Sequence, residues 1–388
     1  MSKVLITAFF IVCSFYNICV SNELSSKAQI NICVLEKVNK AVLLNLSSSE
    51  VILQINNKKF LLRGSNIKIE FKGHNKVKIN DLIYDLPVYI RYKKQKDTCE
   101  LNGQIYPLNF KIYTLDNKSL IFVNIVDIET YVEGVLPYEV VSSWSDEMLK
   151  VQAVIVRTYA LANINRHKED GYDLCNNIHC QVYKGFSKNE LMRKRVEKAV
   201  KKTKGMVLVE PKTKKLIQTY YHAACGGATE DMSEIWHSTI QVPWLVSVKC
   251  DFCRKSPYYK WSYSISQEDF CSVLRKNGYN LTKKTNKINV VDKTKGGRIK
   301  NVEIISLDSK FKIGMEELRK ILGYQKLKST KIYKIEVTPK TITFYGLGWG
   351  HGVGLCQWGA NELTNLGKSF KEVLEYYYPN TKIIKIYE

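Results

Sequence analysis

The sequence of 388 residues predicts an α+β fold. Three observations carry that reading. Short β-branched and aromatic runs fill the N-terminal part, a long apolar helical pattern begins near Ser145, and two bounded helical patterns close the chain. Strands, a helix, mixed strands and terminal helices follow one another without regular βαβ alternation. The expected organisation is a leader over 1–21, a β-rich region over 22–98, and a mixed α/β domain with C-terminal helices over 99–388.

The leader comes first. After Lys3 runs "VLITAFFIVCSFYNICV", an apolar stretch of signal-peptide length followed by polar "SNELSSK". It is short for a membrane span and Asn17 interrupts it, which favours cleavage and export. An uncleaved anchor, giving membrane association through the N-terminus, is the alternative. "KAVLLNL", "EVILQI", "KKFLLRG", "KIEFKG" and "LPVYIRY" then read as strands, with hairpin turns at Asn102-Gly103 and Asp116-Asn117.

"YVEGVLPYEV" (131–140) reads as a rigid, Gly/Pro-broken segment that presents Glu133 and Glu139. A carboxyl half-buried there beside Leu136, Pro137 and Tyr138 would have a raised pKa and suit a general acid; the bland alternative is a surface glutamate. Ser145 caps the next helix, with Asp146 and Glu147 in its first turn. Leu149, Ala153, Val156 and Ala160 form one apolar face. Lys150, Gln152 and Arg157 are the polar members of an otherwise near-continuous apolar run, and Arg157 would need a carboxylate or carbonyl inside.

Cys175, His179 and Cys180 lie within six positions in "LCNNIHCQVYKG". They suit zinc, with His167 as a fourth ligand, or a disulfide in an exported chain. The pair in "CDFC", Cys250 and Cys253, reads as a disulfide or as structural. Eleven cysteines less Cys13 and Cys19 of the leader leave an odd number, so at least one is unpaired or binds something other than sulfur. Cys225 and His222 are three residues apart in a strand-like run and face opposite ways, which disfavours a Cys/His nucleophile.

"GLGWGHGVGLCQWGA" (346–360) places glycine at every second position from Gly346 to Gly354. A phosphate loop needs Lys-Ser/Thr after its last glycine; Leu355 follows instead, and the run does not fit G-x-G-x-x-G. The expected role is a backbone thin enough for a ligand to approach, flanked by Trp349 and Trp358. Ser369 and Glu372 have capping-box spacing ahead of the last helix, which ends at Pro379. The formal charge of +22 is spread along the chain. It suits an anionic wall or membrane surface, or follows from AT-rich codon usage, and no nucleic-acid motif accompanies it.

These segments together resemble the stage II sporulation protein D (SpoIID/LytB) family. The matching motifs are "YVEGVLPYEV", "LKVQAVIVRTYAL", "HCQVYKG", "ACGGATE", "IW" and "GWGHGVGLCQWGA…GKSF…YYYP", in family order over roughly 101–387. The resemblance implies a SpoIID-like catalytic domain that cleaves peptidoglycan glycan strands, by preference those without stem peptides, as a lytic transglycosylase in the periplasm or envelope of a bacterium. It places the catalytic glutamate at Glu139, although Val140 stands where the family usually has methionine. It implies a metal in some members near Cys175, His179 and Cys180, and no cofactor that the reaction itself requires. Lys150, Gln152 and Arg157 are expected to fix Glu139 or the substrate. Tyr220, Trp349, His351, Gln357 and Trp358 are expected to wall the groove. Some relatives are amidase enhancers, so a non-catalytic glycan binder that partners a cell-wall amidase is the alternative. A zinc hydrolase lacks its H-E-x-x-H helix.

Overall fold

The computed structural model describes residues 29–47, 50–94, 97–236, 238–281 and 283–388. The expected leader lies outside them. Among the described residues no helix is long and apolar enough to cross a membrane.

The early strand runs build two sheets. A seven-stranded sheet runs, from edge to edge, Leu174–Cys175, Gln29–Val38, Leu120–Asp127, Asn109–Tyr113, Val88–Arg91, Glu50–Ile55 and Lys58–Arg63. A six-stranded antiparallel sheet runs Gln104–Pro107, Thr98–Leu101, Lys40–Asn45, Asn66–Gly73, Lys76–Ile79 and Leu82–Asp85. Alternation sets the faces: in Lys40–Asn45, Ala41 and Leu43 are buried while Lys40 and Val42 are exposed. Leu120–Asp127 is buried from Leu120 through Val126, as a central strand covered on both faces must be. Asn102 and Gly103 both take positive φ at the predicted hairpin turn.

The expected boundary after residue 98 is not a seam. Gln29–Val38 pairs with Leu120–Asp127, and Thr98–Leu101 pairs with Lys40–Asn45. Ile30, Leu53, Phe122, Leu149 and Tyr377 share one core. Early strands such as Glu50–Ile55 and Lys58–Arg63 pair with each other, but Gln29–Val38, Lys40–Asn45 and Val88–Arg91 also pair with later strands, and that pairing is not written in either segment alone.

Helix α1 (Ile128–Glu139) follows the central strand directly, with Asp127 accepting the Thr130 N–H at 2.9 Å as N-cap. The broken turn expected here is therefore a helix, with Pro137 inside it. Burial of Ile128, Tyr131, Val132, Val135 and Leu136 outweighs propensity costs of about 1 kcal/mol for Gly134 and about 3 kcal/mol for Pro137. Gly134 has its own reason: a Cβ there would run into the Tyr183 ring.

Helix α2 (Asp146–Ala162) starts at its predicted cap, Ser145, and is buried along most of its length. Helix α3 (Glu190–Lys202) is amphipathic, burying Met192, Val196, Ala199 and Val200, and α4 (Met232–Trp236) is a short turn of helix. A second core then appears, which sequence patterning did not separate. Helices α5 (Gln267–Lys276) and α6 (Met315–Leu322) and two three-stranded sheets bury Phe270, Leu274, Val302, Ile304, Met315 and Phe344 among themselves. The chain returns to the first core with α7 (Gln357–Asn365) and α8 (Phe370–Tyr377), the latter with the full Ser369–Glu372 capping box. Its last strand, Lys382–Lys385, pairs with Met206–Val209.

One buried pair ties this frame together. Arg157 of α2 is fully buried and donates through Nε to Glu129 Oε1 of α1 at 3.0 Å, and through Nη1 to the Met206 carbonyl at 3.1 Å. Gly205 N–H and the Tyr387 hydroxyl complete the Glu129 oxygen shell at 3.0 and 2.6 Å. Deleting one partner leaves an uncompensated buried charge. Arg157→Ala should therefore lower unfolding stability by about 3–5 kcal/mol in urea denaturation. A loss below about 1 kcal/mol would show that the pair does not organise the helices.

Candidate functional site

Glu139 is the last residue of α1, and three distant segments converge on it. Its Oε1 accepts the Val182 N–H at 2.8 Å, and the Tyr221 hydroxyl also hydrogen-bonds the carboxylate. Behind Tyr221, Gln181 Nε2 donates to the Tyr221 hydroxyl oxygen at 3.3 Å, and the buried Tyr131 hydroxyl donates to Gln181 Oε1 at 3.0 Å. Gln357 Nε2 donates to the Glu139 main-chain carbonyl at 2.8 Å and to Gln152 Oε1 at 3.3 Å. The carboxylate and the main-chain carbonyl of this glutamate are thus both held.

Burial pushes the Glu139 carboxyl up to about 7, against the Val182 N–H and Tyr221 hydroxyl, which both favour the charged form. Such a group is half protonated near neutrality and can give or take a proton there. Glu133 is also pushed up to about 7 by burial, with Glu197, Asp127 and Glu129 adding repulsion. It stands six positions earlier, roughly 240° round the helix, so the two carboxyls face different ways.

The structure sorts the remaining sequence-derived candidates. Gln152 and Gln357 reach Glu139 as a linked pair. Arg157 does not: it serves the Glu129 pair, because a fully buried guanidinium takes the nearest carboxylate. Lys150 also points elsewhere, pairing with Glu147 one turn back and lying 5.8 Å over the Phe370 ring. Trp349 packs edge-on against Tyr258 at 4.4 Å, with Lys328 over its ring. Trp358 meets Trp144 edge-on at 5.5 Å.

Tyr220 sits in an aromatic group with Trp236 at 4.7 Å and His351 at 6.4 Å. Trp236, of the "IW" motif, is 39% exposed and joins this group only in the folded structure. Tyr221, passed over in the sequence, is the strand neighbour that faces Glu139, so a one-residue difference in parity decided which tyrosine meets the carboxyl. His351 accepts the Val353 N–H on Nδ1 at 3.0 Å, which leaves its Nε2 proton for the Tyr221 carbonyl at 2.9 Å. Burial drives its pKa down to about 3, so it is a neutral strut.

The glycine run, expected as a thin groove wall, packs closely against the chain itself. Gly348, Gly350, Gly352 and Gly354 all take positive φ, where side chains are strained. The space beside them is filled by the chain itself. A Cβ at Gly348 would strike the Ala224 carbonyl, at Gly350 it would lie 2.7 Å from His222 Cβ, and at Gly352 it would lie 2.5 Å from the Arg298 guanidinium. The close approach is protein against protein.

His167, Cys175, His179 and Cys180 bring four ligand atoms within 4.8 Å of one another. Cys180 Sγ lies 3.5 Å from His167 Nε2, and Cys175 Sγ lies 3.6 Å from His179 Nδ1. Asp170 Oδ2, 3.1 Å from His167 Nδ1, holds that ring with Nε2 toward the sulfurs, a common carboxylate support for a ligand histidine. This donor set fits a tetrahedral zinc with every position supplied by protein.

The family model described as stage II sporulation protein matches residues 116–209, which include Glu139, Val182 and the Cys/His group. A second, described as Domain of unknown function (DUF8618), matches 232–354 and spans the second core. An uncharacterized protein of Brachyspira hyodysenteriae is 34% identical over 292 residues, covering 74% of this chain and 75% of that protein. Stage II sporulation protein D of Bacillus subtilis is 28% identical over 291 residues, 71% of this chain and 79% of that one. The amidase enhancer of Bacillus subtilis is 28% identical over 302 residues, 65% of this chain and 40% of its own length.

The raised Glu139 pKa has a stability consequence. Between about pH 4.5 and 7 the folded state binds more protons at this site than the unfolded state, so stability falls as pH rises through that window. Glu139→Gln removes the contribution. It should be more stable than wild type by on the order of 3 kcal/mol above about pH 8 and indistinguishable below about pH 4. Equal stability of the two proteins at every pH would mean that Glu139 is not desolvated.

Proposed function

Because the chain belongs to the stage II sporulation protein D family, we propose that it is an exported lytic transglycosylase that cleaves peptidoglycan glycan strands in the envelope of a bacterium. The observation that carries this reading is Glu139: one carboxyl poised near neutrality, held by Val182 and Tyr221, with the other raised carboxyl of its helix turned away. A hydrolase of the usual kind needs two carboxyls across the bond. A transglycosylase manages with one.

In this scheme protonated Glu139 gives its proton to the glycosidic oxygen as the bond to the muramoyl anomeric carbon breaks. The muramoyl 6-hydroxyl then attacks that carbon and passes its proton back to the Glu139 carboxylate. The product has a 1,6-anhydro end, no water is consumed, and the acid is restored. Tyr221 and Val182 stabilise the carboxylate that exists between the two transfers. The exposed Trp236 beside Tyr220 offers an apolar face on which a sugar ring can stack.

Zinc at His167, Cys175, His179 and Cys180 would be structural, since no coordination position stays open. It would fix Cys180, two residues before the Val182 N–H that binds Glu139. The net positive charge suits anionic wall polymers. A second reading, a glycan-binding enhancer of a cell-wall amidase, is favoured by the amidase enhancer among the similar proteins.

Digestion of stem-free glycan strands, read by mass spectrometry, separates the readings. Wild type should release anhydro-ended fragments, and Glu139→Gln should lose about a hundred-fold or more of that activity. Hydrated reducing ends would indicate a hydrolase; binding without cleavage would indicate the enhancer. Tyr221→Phe removes a hydrogen bond that lowers the Glu139 pKa. Its alkaline limb in the pH–rate profile should move up by about one unit. A downward move would contradict the assigned contact.

A further inference from the structure

A second group of cysteines takes no part in the chemistry above. Cys225, Cys250, Cys253 and Cys356 are each fully buried, and their four sulfurs lie within 4.8 Å of one another. Cys225 and Cys253 Sγ are 3.5 Å apart. Four thiolates around one zinc, at about 2.3 Å each, stand roughly 3.8 Å from one another. A cluster of several irons would spread them further.

The surroundings are those of thiolates. The Cys225 N–H points at Cys356 Sγ at 3.3 Å, the Gly226 N–H bonds the Cys253 sulfur, and the Tyr377 hydroxyl lies 3.1 Å from Cys250 Sγ. Gly359 keeps the space open, since a Cβ there would lie 2.5 Å from Cys250 Sγ. A buried cation stands alongside: Arg298 donates to the Cys225 carbonyl at 3.3 Å and to the Gly350 carbonyl at 3.0 Å. The ligands come from three places. Cys250 precedes the turn at Asp251–Lys255 and Cys253 lies within it, while Cys356 lies in Leu355–Cys356, which pairs in parallel with Tyr221–His222 just ahead of Cys225.

We propose that these four cysteines bind one structural zinc ion that clamps the Tyr221–His222 and Leu355–Cys356 strand pair to the Cys250–Cys253 turn. Binding displaces the four S–H protons to solvent and fills every coordination position with sulfur, so the ion takes no part in bond cleavage. The clamp closes the base of the second core, whose chain leaves after one of these strands and returns through the other. Resting on the Glu139 reading, it also holds both residues that grip Glu139 from this side, Tyr221 and Gln357. The rival chemistry is a pair of disulfides, which an exported chain allows.

Metal content and thiol state decide between them without any glycan assay, so this proposal and the transglycosylase reading fail separately. Wild-type protein purified with zinc should carry about two ions per chain, one lost in Cys175→Ser and the other in Cys253→Ser. Should Cys253→Ser not fold, the wild-type chain loaded with cadmium and read by cadmium NMR decides. Two resonances are expected, the one further downfield from the all-sulfur site. Absence of the all-sulfur resonance overturns the proposal. So does recovery of these four cysteines as disulfides from the unreduced chain.

Discussion

The architecture depends on a charge that has been taken out of water. Arg157 cannot be solvated where α2 lies, and Glu129 is the only carboxylate bonded to its guanidinium among the described residues. The pair fixes the crossing of α1 and α2. Through Gly205 and Tyr387 it also draws in the turn before Met206–Val209 and the C-terminal segment. Burial of ions in low dielectric is costly unless every donor and acceptor is met. Here it is met by four different parts of the chain, so the pair specifies one arrangement of them.

That arrangement delivers Glu139. Helix α1 is held in its first turn by Asp127 and Glu129 and further along by its buried Tyr131, Val132, Val135 and Leu136, so its last residue has little freedom. The same carboxyl would behave as an ordinary glutamate on a mobile turn. At the end of a pinned helix, under the Val182 and Tyr221 donors, it is desolvated and still satisfied, which is the condition for a pKa near neutrality.

The second core is inserted between two strands that pair with each other, Tyr221–His222 and Leu355–Cys356. An insertion at such a place threatens the register of the pair. The glycine run answers this by lying flush against residues 220–226, with backbone bonds such as Trp349 N–H to the Ala224 carbonyl at 2.8 Å. His351 adds a bond to the Tyr221 carbonyl from the same run. The run therefore acts as a seal, and through that seal it sets where Tyr221 stands.

Much of this was legible in the sequence, and the limits have a physical cause. Local rules sufficed for the caps at Ser145 and Ser369, the Asn102-Gly103 turn, the buried face of α2 and the α+β class, because each depends on neighbours within one turn or hairpin. Motif spacing also pointed to Glu133 and Glu139 together and to the Cys175–Cys180 segment, and the family resemblance chose Glu139 of the two. Which partner each side chain takes was decided only in three dimensions. Arg157 went to Glu129 rather than to the site, Tyr221 rather than Tyr220 met the carboxyl, and Cys225 and Cys356 joined Cys250 and Cys253 from far along the chain. Periodicity tells a residue which way to face. What it faces depends on strand pairing and helix crossing, and those are fixed by burial summed over the whole core.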